Sequence, residues 1–341
     1  MHKICFLTLL FLCDTQTFAQ NSAKDSIMRL VFWNVENLFD IYDDSTTNDD
    51  AFTPHGENHW TARRYRTKLN HLCKTLVAMG ENSDGSFEMP IIVGLAEIEN
   101  DRVLRDLCLG TPLRRYGYKF VHYDSPDRRG IDNALLYRKA FYQPFFCQAI
   151  SLSDSSAGFY TRDILLVEGV TRAGDTIIVL VNHFPSKRGG TTAEQWRMQS
   201  AQKLRYTMDT LSLLHPNAAI IVTGDFNASP DEESIRNGLM QGKEDFENLM
   251  EHIKTGRGSY QYQGYWSCID QIIVSSNLIK SCIKSQLKIT RKEGGIFDAP
   301  FLLIDDDKNL SKKVFRTYLA MKYLGGYSDH LPVYIELKRV D

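Results

Sequence analysis

The stretch Ile220 to Pro230 (IIVTGDFNASP) places polar side chains at the end of an apolar run that predicts a buried strand. Asp225 and Asn227 are two residues apart, so both side chains can leave the strand end on the same side. Gly224 allows a sharp turn and a close approach of the backbone to a ligand. The chain therefore holds a carboxylate and a carboxamide at the end of a core strand, unless the stretch is only an Asx-rich turn.

Similar polar side chains follow other predicted strands. With Asp225 and Asn227, the set comprises Asn34, Glu97, His183, Asp270, Asp329 and His330. Each of them alone is compatible with an ordinary strand cap. If the strands end at one edge of packed sheets, however, these side chains converge. Two histidines and several carboxylates at one edge are typical of metal-assisted hydrolysis.

Apolar runs and alternation predict the strands that position these groups. They are expected at residues 29–33, 91–95, 118–123, 132–138, 164–171, 176–181, 220–223, 268–275 and 331–337. The turn at 173–175 indicates a β-hairpin between two of them. Helices are expected over 60–79, after Thr191, after Ser229 and Pro230, and over 314–323.

A second stretch with binding chemistry, Lys187 to Gly190, precedes the predicted helix at Thr191. Lys187 and Arg188 lie beside a Gly-Gly turn, and a helix N-terminus with basic neighbours can bind phosphate because its free N–H groups attract anions. A simple flexible turn is the alternative. Thr191 and Glu194 have the spacing of a capping box, which would fix the start of the helix.

Composition limits the class of protein. Hydrophobic residues make up 43% of the 341 residues, enough for a sizeable core. The formal net charge of −2 gives no overall positive field that would attract nucleic acid or an anionic membrane. A nucleic-acid substrate would have to be held locally, by a few basic residues and by metal ions. The cysteines after residue 19 number five and lack a C-x-x-C spacing, so neither a disulfide framework nor a zinc site is indicated.

The first 19 residues have the pattern of a secretory signal peptide. Lys3 precedes an apolar run from Ile4 to Cys13, and Thr17 and Ala19 provide small residues at the −3 and −1 positions. We therefore expect cleavage after Ala19 and a secreted or periplasmic protein. Residues 20–341 contain no linker and no repeat, so we expect a single domain without an integral membrane segment.

Six stretches together resemble the endonuclease/exonuclease/phosphatase superfamily, which includes deoxyribonuclease I. They are FWN (32–34), GLAEIEN (94–100), VNHFPSK (181–187), GDFN (224–227), IDQIIVS (269–275) and SDHLPV (328–333). The stretches occur in the order of the family and cover nearly the whole chain after the signal peptide. The resemblance implies an α+β fold of four layers, α/β/β/α. Two packed mixed sheets would carry helices outside and the site at one edge.

The resemblance also implies a divalent metal, most often Mg²⁺, with Mn²⁺ or Ca²⁺ as alternatives. Glu97 would be the main ligand. Asn34, as a ligand or a phosphate contact, and Asp329 would lie nearby. Glu36 and Glu99 each lie two residues past a matched position, so each is expected either as a further ligand or as a support.

By the same resemblance, the remaining matched residues would act on water and phosphate. Asp225 would orient or deprotonate the attacking water, and Asn227 would hold the phosphate or the nucleophile. His183 and His330 would donate hydrogen bonds to the phosphate oxygens as charge builds. Asp270 would orient His330. Lys187 and Arg188 of the Gly-Gly turn are further candidates for phosphate binding.

A histidine that donates to phosphate is normally oriented by a carboxylate on its other ring nitrogen, so we look for such a partner of His183. Asp132 opens a predicted strand, and family members often have a carboxylate there. We therefore expect its oxygen within about 3.5 Å of a His183 ring nitrogen. Alternatively, Asp132 caps its turn or pairs with Arg129. Residues 291–327, which include Arg316, form either a wall of the substrate cleft or a surface insertion.

The sequence thus predicts a secreted, metal-dependent phosphoesterase, and first of all a nuclease-like phosphodiesterase that acts on DNA or RNA. The alternative is a phosphatase or lipid phosphodiesterase that acts on inositol phosphates or sphingomyelin-like head groups. A binding module that kept the fold and lost catalysis ranks third, since every core residue of the family is present. Phosphodiesters and phosphomonoesters would use the same basic residues, so both substrate classes stay open at this point.

Overall fold

Apolar runs in the sequence form two β-sheets that pack face to face, with helices on both outer sides. The structure is a computed structural model that describes residues 27–340 except 83, 243–244, 255 and 281–285. The signal peptide predicted for residues 1–19 lies outside the described residues. Within the described ranges, no helix is both long and apolar enough to cross a membrane.

The described helices are α1 (Ala62–Ala78), α2 (Asp101–Gly110) and α3 (Gly190–Leu214). The strands in the first two thirds of the chain are β1 (Met28–Leu38), β2 (Ile92–Ile98), β3 (Tyr118–His122), β4 (Asp132–Arg138), β5 (Tyr142–Ile150), β6 (Ile164–Thr171), β7 (Thr176–His183) and β8 (Ala219–Asp225). The later strands are β9 (Phe246–Asn248), β10 (Tyr260–Tyr262), β11 (Tyr265–Ser267), β12 (Asp270–Ser275), β13 (Leu287–Ile289), β14 (Gly295–Ile296), β15 (Leu303–Asp306), β16 (Ser311–Val314), β17 (Tyr318–Leu319), β18 (Lys322–Tyr323) and β19 (Val333–Arg339).

Both large sheets are mixed. The first has the strand order β13-β19-β1-β2-β4-β3, with β14 also paired to β19. The second has the order β5-β6-β7-β8-β12-β9. Strands β1 and β2 are parallel, and so are β7 and β8, whereas the other pairs in these sheets are antiparallel. Each sheet therefore has one central parallel pair, and the carboxyl ends of both pairs carry motif residues.

Alternating side chains on the second sheet divide between two cores. Val179 and Val181 of β7 belong to the core between the sheets, while Ile178 and Leu180 of the same strand pack with α3. Gly94 of β2 lies against Val181, and a Cβ atom at 94 would be 3.3 Å from it. Helices α1 and α2 pack on the first sheet. The layers are thus α/β/β/α, which confirms the expected fold class.

Most predicted elements are confirmed, including α1 and the hairpin of β6 and β7. The prediction of a helix over 314–323 is wrong. This part contains β17, β18 and the end of β16, and Ala320 turns the chain in the left-handed region at φ 51°. The N–H groups of Thr317 and Tyr318 donate to Glu36 instead of to helical carbonyls. A tertiary contact therefore overrides the local helical pattern.

Two predicted helix starts also differ. The residues after Ser229 form a turn, and the next helical segment is a π-helix at Ser234–Leu239. Helix α3 begins after Gly189, whose φ is 115°, and no side chain caps it. Glu194 forms an ion pair with Arg197 instead of closing a capping box, so the predicted capping box is wrong.

Candidate active site

Polar side chains from both sheets meet at one edge of the sandwich. Asn34 lies in β1 and Glu97 in β2 of the first sheet, whereas His183 and Asp225 end β7 and β8 of the second. Asn34 Nδ2 donates to Asp225 Oδ2 at 3.0 Å, so a hydrogen bond joins the two sheets. Asp270 begins β12 opposite Asp225 in the ladder. The structure therefore brings these predicted site residues together.

Several residues at this edge adopt left-handed backbone conformations although they are not glycine. Their φ angles are 53° at Glu36, 52° at Asn37, 66° at Glu97 and 48° at Asn227. The pairing of β1 with β2 shifts its register at the same place. The Asn37 N–H group then donates to Glu97 Oε2 at 2.8 Å, which fixes this carboxylate. Such residues cost about 1–3 kcal/mol each and persist where the surrounding structure holds them.

His330 is fixed by contacts from three other parts of the chain. Its Nδ1 atom lies 2.7 Å from Asp270 Oδ2, which is the pairing that the resemblance implies. Its carbonyl oxygen accepts a hydrogen bond from Trp33 Nε1 at 2.9 Å. The ring of Tyr260 lies with its centre 4.8 Å from that of the imidazole. The Nε2 atom is left to face Asp225 Oδ2 at 3.8 Å.

Asp225 is the centre of the site. Its Oδ2 atom lies 3.6 Å from His183 Nε2 and 3.8 Å from His330 Nε2. Its Oδ1 atom accepts a hydrogen bond from the Asn227 N–H group at 2.9 Å. Burial raises the pKa of Asp225 to about 7, and the charge of Asp270 acts in the same direction. A carboxylate with a pKa near neutrality can accept a proton at physiological pH.

The two histidines differ in charge. Burial, together with the positive charges of Arg162 and Arg129, lowers the pKa of His183 well below its usual value, so this imidazole is neutral. Burial also opposes a charge on His330, but the neighbouring carboxylates, above all Asp270, outweigh it and raise the pKa of His330 well above its usual value. A neutral imidazole and a cationic one therefore flank the same carboxylate.

Asp132 does not contact His183, so that expectation is wrong. Its carboxylate accepts a hydrogen bond from the Ser125 N–H group at 2.9 Å and another from the Ser125 hydroxyl, and it lies 3.4 Å from His122 Nε2. His183 Nδ1 is buried and has no hydrogen-bond partner in the described part of the chain. The reason is the pairing of β4. Asp132 begins β4 beside β3, and its carboxylate contacts His122 at the end of β3 and the following Ser125 instead of His183.

The basic residues of the Gly-Gly turn have different surroundings. Lys187 is exposed and forms an ion pair of 2.6 Å with Glu232. Arg188 is also exposed, and its charge lowers the pKa of Tyr260, which burial raises overall. The Tyr260 ring lies against His330, so of the two basic residues Arg188 is the one whose charge acts on a neighbour of the site.

Arg316, which no short motif marks, reaches the site from the connection between β16 and β17. Its Nη2 atom donates to Asp329 Oδ2 at 2.8 Å, and its Nε atom lies 3.4 Å from Glu36 Oε1. The side chain is 31% exposed, and Nη1 forms no hydrogen bond with a described residue. Glu36 is buried and accepts hydrogen bonds from the N–H groups of Thr317 and Tyr318. Arg316 therefore presents a partly exposed positive charge beside Asp329.

Close packing holds Arg316 in place. The Gly326 N–H group donates to the Arg316 carbonyl at 3.2 Å, and a Cβ atom at 326 would lie 2.0 Å from a carbonyl oxygen of the neighbouring segment. Lys68 of α1 is buried and donates to the Tyr327 carbonyl at 2.6 Å. Of the segment 291–327, the part around Arg316 therefore contacts residues of the site, namely Glu36 and Asp329. The Gly-Gly pair before SDH was the signal for this close approach.

Glu97, Asn34 and Asp329 offer oxygen atoms of the kind that a hard divalent cation takes as ligands. Glu97 Oε1 and Asp329 Oδ1 accept no hydrogen bond from a described residue, and Asn34 Oδ1 accepts one, from the Glu36 N–H group at 3.0 Å. Carboxylate and carboxamide oxygens are the ligands that such cations take. Glu36 and Glu99 are buried supports, because backbone N–H groups donate to their carboxylates.

The neighbouring cluster of Asp225, Asp270 and His330 is better suited to proton chemistry. Its ligand-type atoms lie within 4.8 Å of one another. However, the hydrogen bond of 2.7 Å from His330 to Asp270 and the raised pKa of His330 keep a proton on the imidazole. A metal would have to displace that proton. Glu97 Oε1 and Asp329 Oδ1, which accept no hydrogen bond from a described residue, are therefore the better candidates for cation ligands.

Comparison with known proteins gives a family and a fold. The sequence matches a model of the endonuclease/exonuclease/phosphatase family over residues 29–339. No curated protein matches the sequence. A family protein from Bacteroides thetaiotaomicron has a similar structure, with a TM-score of 0.56 and 17% identity, over 92% of this chain and 98% of that one.

Two further solved structures are similar over the same share of the chain. D. rerio TDP2 complexed with single strand DNA product has a TM-score of 0.56 and 16% identity, over 92% of this chain and all (100%) of that one. The human Nocturnin catalytic domain with bound sulfate anion has a TM-score of 0.55 and 15% identity, over 92% of this chain and 95% of that one. At these identities the likeness supports the fold.

Proposed function

The chain belongs to the endonuclease/exonuclease/phosphatase family, whose members hydrolyse phosphoesters, and from this premise we propose that it is a metal-dependent phosphodiesterase. The observation that carries the proposal is Asp225, a buried carboxylate with a pKa of about 7 between a neutral and a cationic histidine. This arrangement offers a base for water and a donor for the charge that develops on phosphate. The single strand DNA product of TDP2 supports a nucleic-acid strand as the first candidate substrate.

In the proposed reaction, Asp225 takes a proton from water while the water oxygen attacks phosphorus. The phosphorus–oxygen ester bond breaks, and the leaving alkoxide oxygen takes a proton from solvent. His330, kept cationic by Asp270, donates from Nε2 to a phosphoryl oxygen whose negative charge grows. His183 donates as a neutral imidazole. Its hydrogen is assigned to Nε2, because two carboxylates lie within 4.0 Å of that atom and Nδ1 has no partner among the described residues. The Asn227 N–H group holds Asp225 in place.

The oxygen atoms of Glu97, Asn34 and Asp329 would hold the divalent cation. When bound, it would neutralise phosphate charge and help to orient the substrate, which is most of what phosphoryl transfer requires. Mg²⁺ is the first candidate, with Mn²⁺ or Ca²⁺ as alternatives, since all three take oxygen ligands.

Replacing Glu97 by glutamine is expected to remove cation binding and to lower activity about a hundredfold or more, similarly to EDTA, because the amide keeps the shape and loses the charge. Isothermal titration with Mg²⁺ and hydrolysis of bis-p-nitrophenyl phosphate measure the two effects separately. Glu99→Gln is the matched control, since Glu99 supports the Asp40 backbone and should leave cation affinity intact. Full turnover of the native protein in EDTA would contradict the metal-dependent mechanism.

Arg316 is proposed as a phosphate contact, because its Nη1 group is free while Asp329 and Glu36 fix the rest of the guanidinium. We expect Arg316→Met to weaken the binding of inorganic phosphate about tenfold or more, the usual effect of losing a charge-assisted hydrogen bond. The affinity for Mg²⁺ should change much less. Titration with phosphate measures this, with Lys322→Met as an exposed control. Loss of Mg²⁺ affinity alone would show that Arg316 only positions Asp329.

A substrate panel tests the proposed function and its alternatives. Single-stranded and duplex DNA, RNA, bis-p-nitrophenyl phosphate, p-nitrophenyl phosphate, inositol phosphates and sphingomyelin should each be tried with and without Mg²⁺. We expect the phosphodiesters to be cleaved fastest. Preference for a monoester or a lipid head group would favour the phosphatase or lipid phosphodiesterase alternative instead. Export to the periplasm or the medium is also proposed, on the support of residues 1–19 alone.

A further inference from the structure

A groove of about 460 Å³ next to the start of β19 has four positive side chains among its lining residues. Lys254, Arg257, Arg291 and Lys292 line it, against one carboxylate, Glu293. All four cations are exposed. Arg257 forms an ion pair with Asp298 at 3.1 Å, whereas the other three form none with a described residue. In a chain whose formal net charge is −2, this is a local concentration of positive charge.

The floor of the groove is built by a close backbone approach. The Gly294 N–H group donates to the Leu249 carbonyl at 2.9 Å, and this bond joins the two walls. Gly295 pairs with Tyr334 of β19, and a Cβ atom at 295 would lie 2.3 Å from the tyrosine ring. Glycine is therefore required there for the segment to lie flat. The groove is a consequence of the fold and not only of side-chain positions.

In sequence, both walls of the groove lead to residues near the catalytic edge. Arg257 precedes Ser259 and Tyr260 in the sequence, and Ser259 Oγ accepts a hydrogen bond from the Asp270 N–H group at 3.2 Å. The Tyr260 ring lies on His330. Three residues of chain span at most about 10 Å, so the Arg257 backbone lies within that distance of Tyr260. On the opposite wall, the residue before Asp298 donates to the carbonyl of Pro332, which is also close to His330 in sequence.

We propose that this groove binds phosphate groups of a polynucleotide strand whose scissile phosphate lies at Asp225 and His330. The inference rests on the proposed phosphodiesterase function and deepens it, because it selects the substrate class. Arg291 and Lys292 lie beside β19 between the levels of Tyr334 and Glu336, which are four and six residues, or about 13 and 20 Å of strand, from His330. A head group or a phosphomonoester at Asp225 is too short to span such a distance, whereas a strand carries a phosphate at every nucleotide. Exposed lysine and arginine side chains suit backbone phosphates, which they neutralise without reading sequence.

The test uses the charge reversal Arg291→Glu/Lys292→Glu on the full chain. The matched control, Arg172→Glu/Lys203→Glu, makes the same change of charge at exposed positions, with Arg172 in the β6–β7 turn at the far end of the sandwich. For a fluorescein-labelled 15-nucleotide DNA strand, the reversal in the groove should raise KM about tenfold or more at low salt. It should also lower the slope of log KM against log salt by about 1.4, or 0.7 for each lost contact. Hydrolysis of bis-p-nitrophenyl phosphate should change less than about twofold, since that substrate cannot reach the groove.

Fluorescence anisotropy in EDTA measures binding of the same strand without turnover. A tenfold weaker Kd for the groove variant and an unchanged Kd for the control would support the proposal. An unchanged Kd for the groove variant, or an equal loss in the control, would overturn it. Because this measurement needs no catalysis, it is separate from the proposed function. That function fails if the native protein hydrolyses no phosphoester of the panel, and the anisotropy result still decides whether the groove holds a strand.

Discussion

Replacing Asp225 by asparagine is expected to lower kcat by about a hundredfold to ten-thousandfold, with a much smaller change in KM. The carboxylate is the proposed base, and an amide cannot accept the proton of the attacking water. Asparagine has one side-chain oxygen, so it cannot accept hydrogen bonds from both Asn34 Nδ2 and the Asn227 N–H group. A loss of stability of about 1–3 kcal/mol should accompany the change. Single-turnover hydrolysis of bis-p-nitrophenyl phosphate and thermal unfolding measure the two effects.

The pH profile separates loss of the base from loss of stability. Since burial raises the pKa of Asp225 to about 7, the carboxylate form is populated above that pH and the activity of the native protein should rise through about pH 7. The Asp225→Asn variant should lack this rise in activity. Asp175→Asn is a control in the turn between β6 and β7, where the side chain is 14% exposed, and it should keep both kcat and the profile. A native kcat in the Asp225 variant would rule out its role as the base.

The substitution His330→Ala should lower kcat about a hundredfold to a thousandfold, which is the usual effect of losing a donor to a developing oxyanion. The imidazole is the cation nearest to Asp225 in the site, and its hydrogen bond to Asp270 fixes its direction. Alanine would also leave Asp270, which is fully buried, without its imidazole partner. The variant should therefore unfold at a lower temperature than the native protein.

A second variant at the same position distinguishes these two effects. The amide of His330→Asn can donate to a neighbouring carboxylate but cannot carry a positive charge. We expect it to recover part of the stability and little of the activity, measured by thermal unfolding and by kcat. If His330→Asn restored kcat, the histidine would be a structural residue and its charge would not matter to the reaction.

The sequence predicted those parts of the site that depend on strand ends. Asp225, His183 and Asp270 directly adjoin apolar runs, and the ladder that pairs β8 with β7 and β12 brings them together. The prediction for Asp132 failed because it needed the order of strands in the sheet, which depends on long-range pairing. The local sequence pattern predicts a strand and the alternation of its side chains, but it does not predict which strands pair with it.

The part of the chain around Arg316 was predicted wrongly for the same reason, namely that long-range contacts decide its conformation. The sequence favoured a helix over 314–323, because local propensity is the only signal available there. The buried Glu36 binds two N–H groups of this part of the chain, and Lys68 of α1 holds its far end through the Tyr327 carbonyl. These partners are 281 and 259 residues away in sequence, so no window of sequence contains the contacts that decide the conformation.

The hydrogen bond between Asn34 and Asp225 has a consequence for how the protein reaches its native state. The proposed base Asp225 and His183 end strands of the second sheet, whereas Asn34 and Glu97 lie in the first sheet and His330 precedes β19 of that sheet, so neither sheet holds a complete site. Catalysis would therefore begin only after the sheets have docked in register. During refolding from denaturant, enzymatic turnover should recover at the same time as tertiary packing and later than secondary structure. The recovery of enzymatic activity would then report when the two sheets dock.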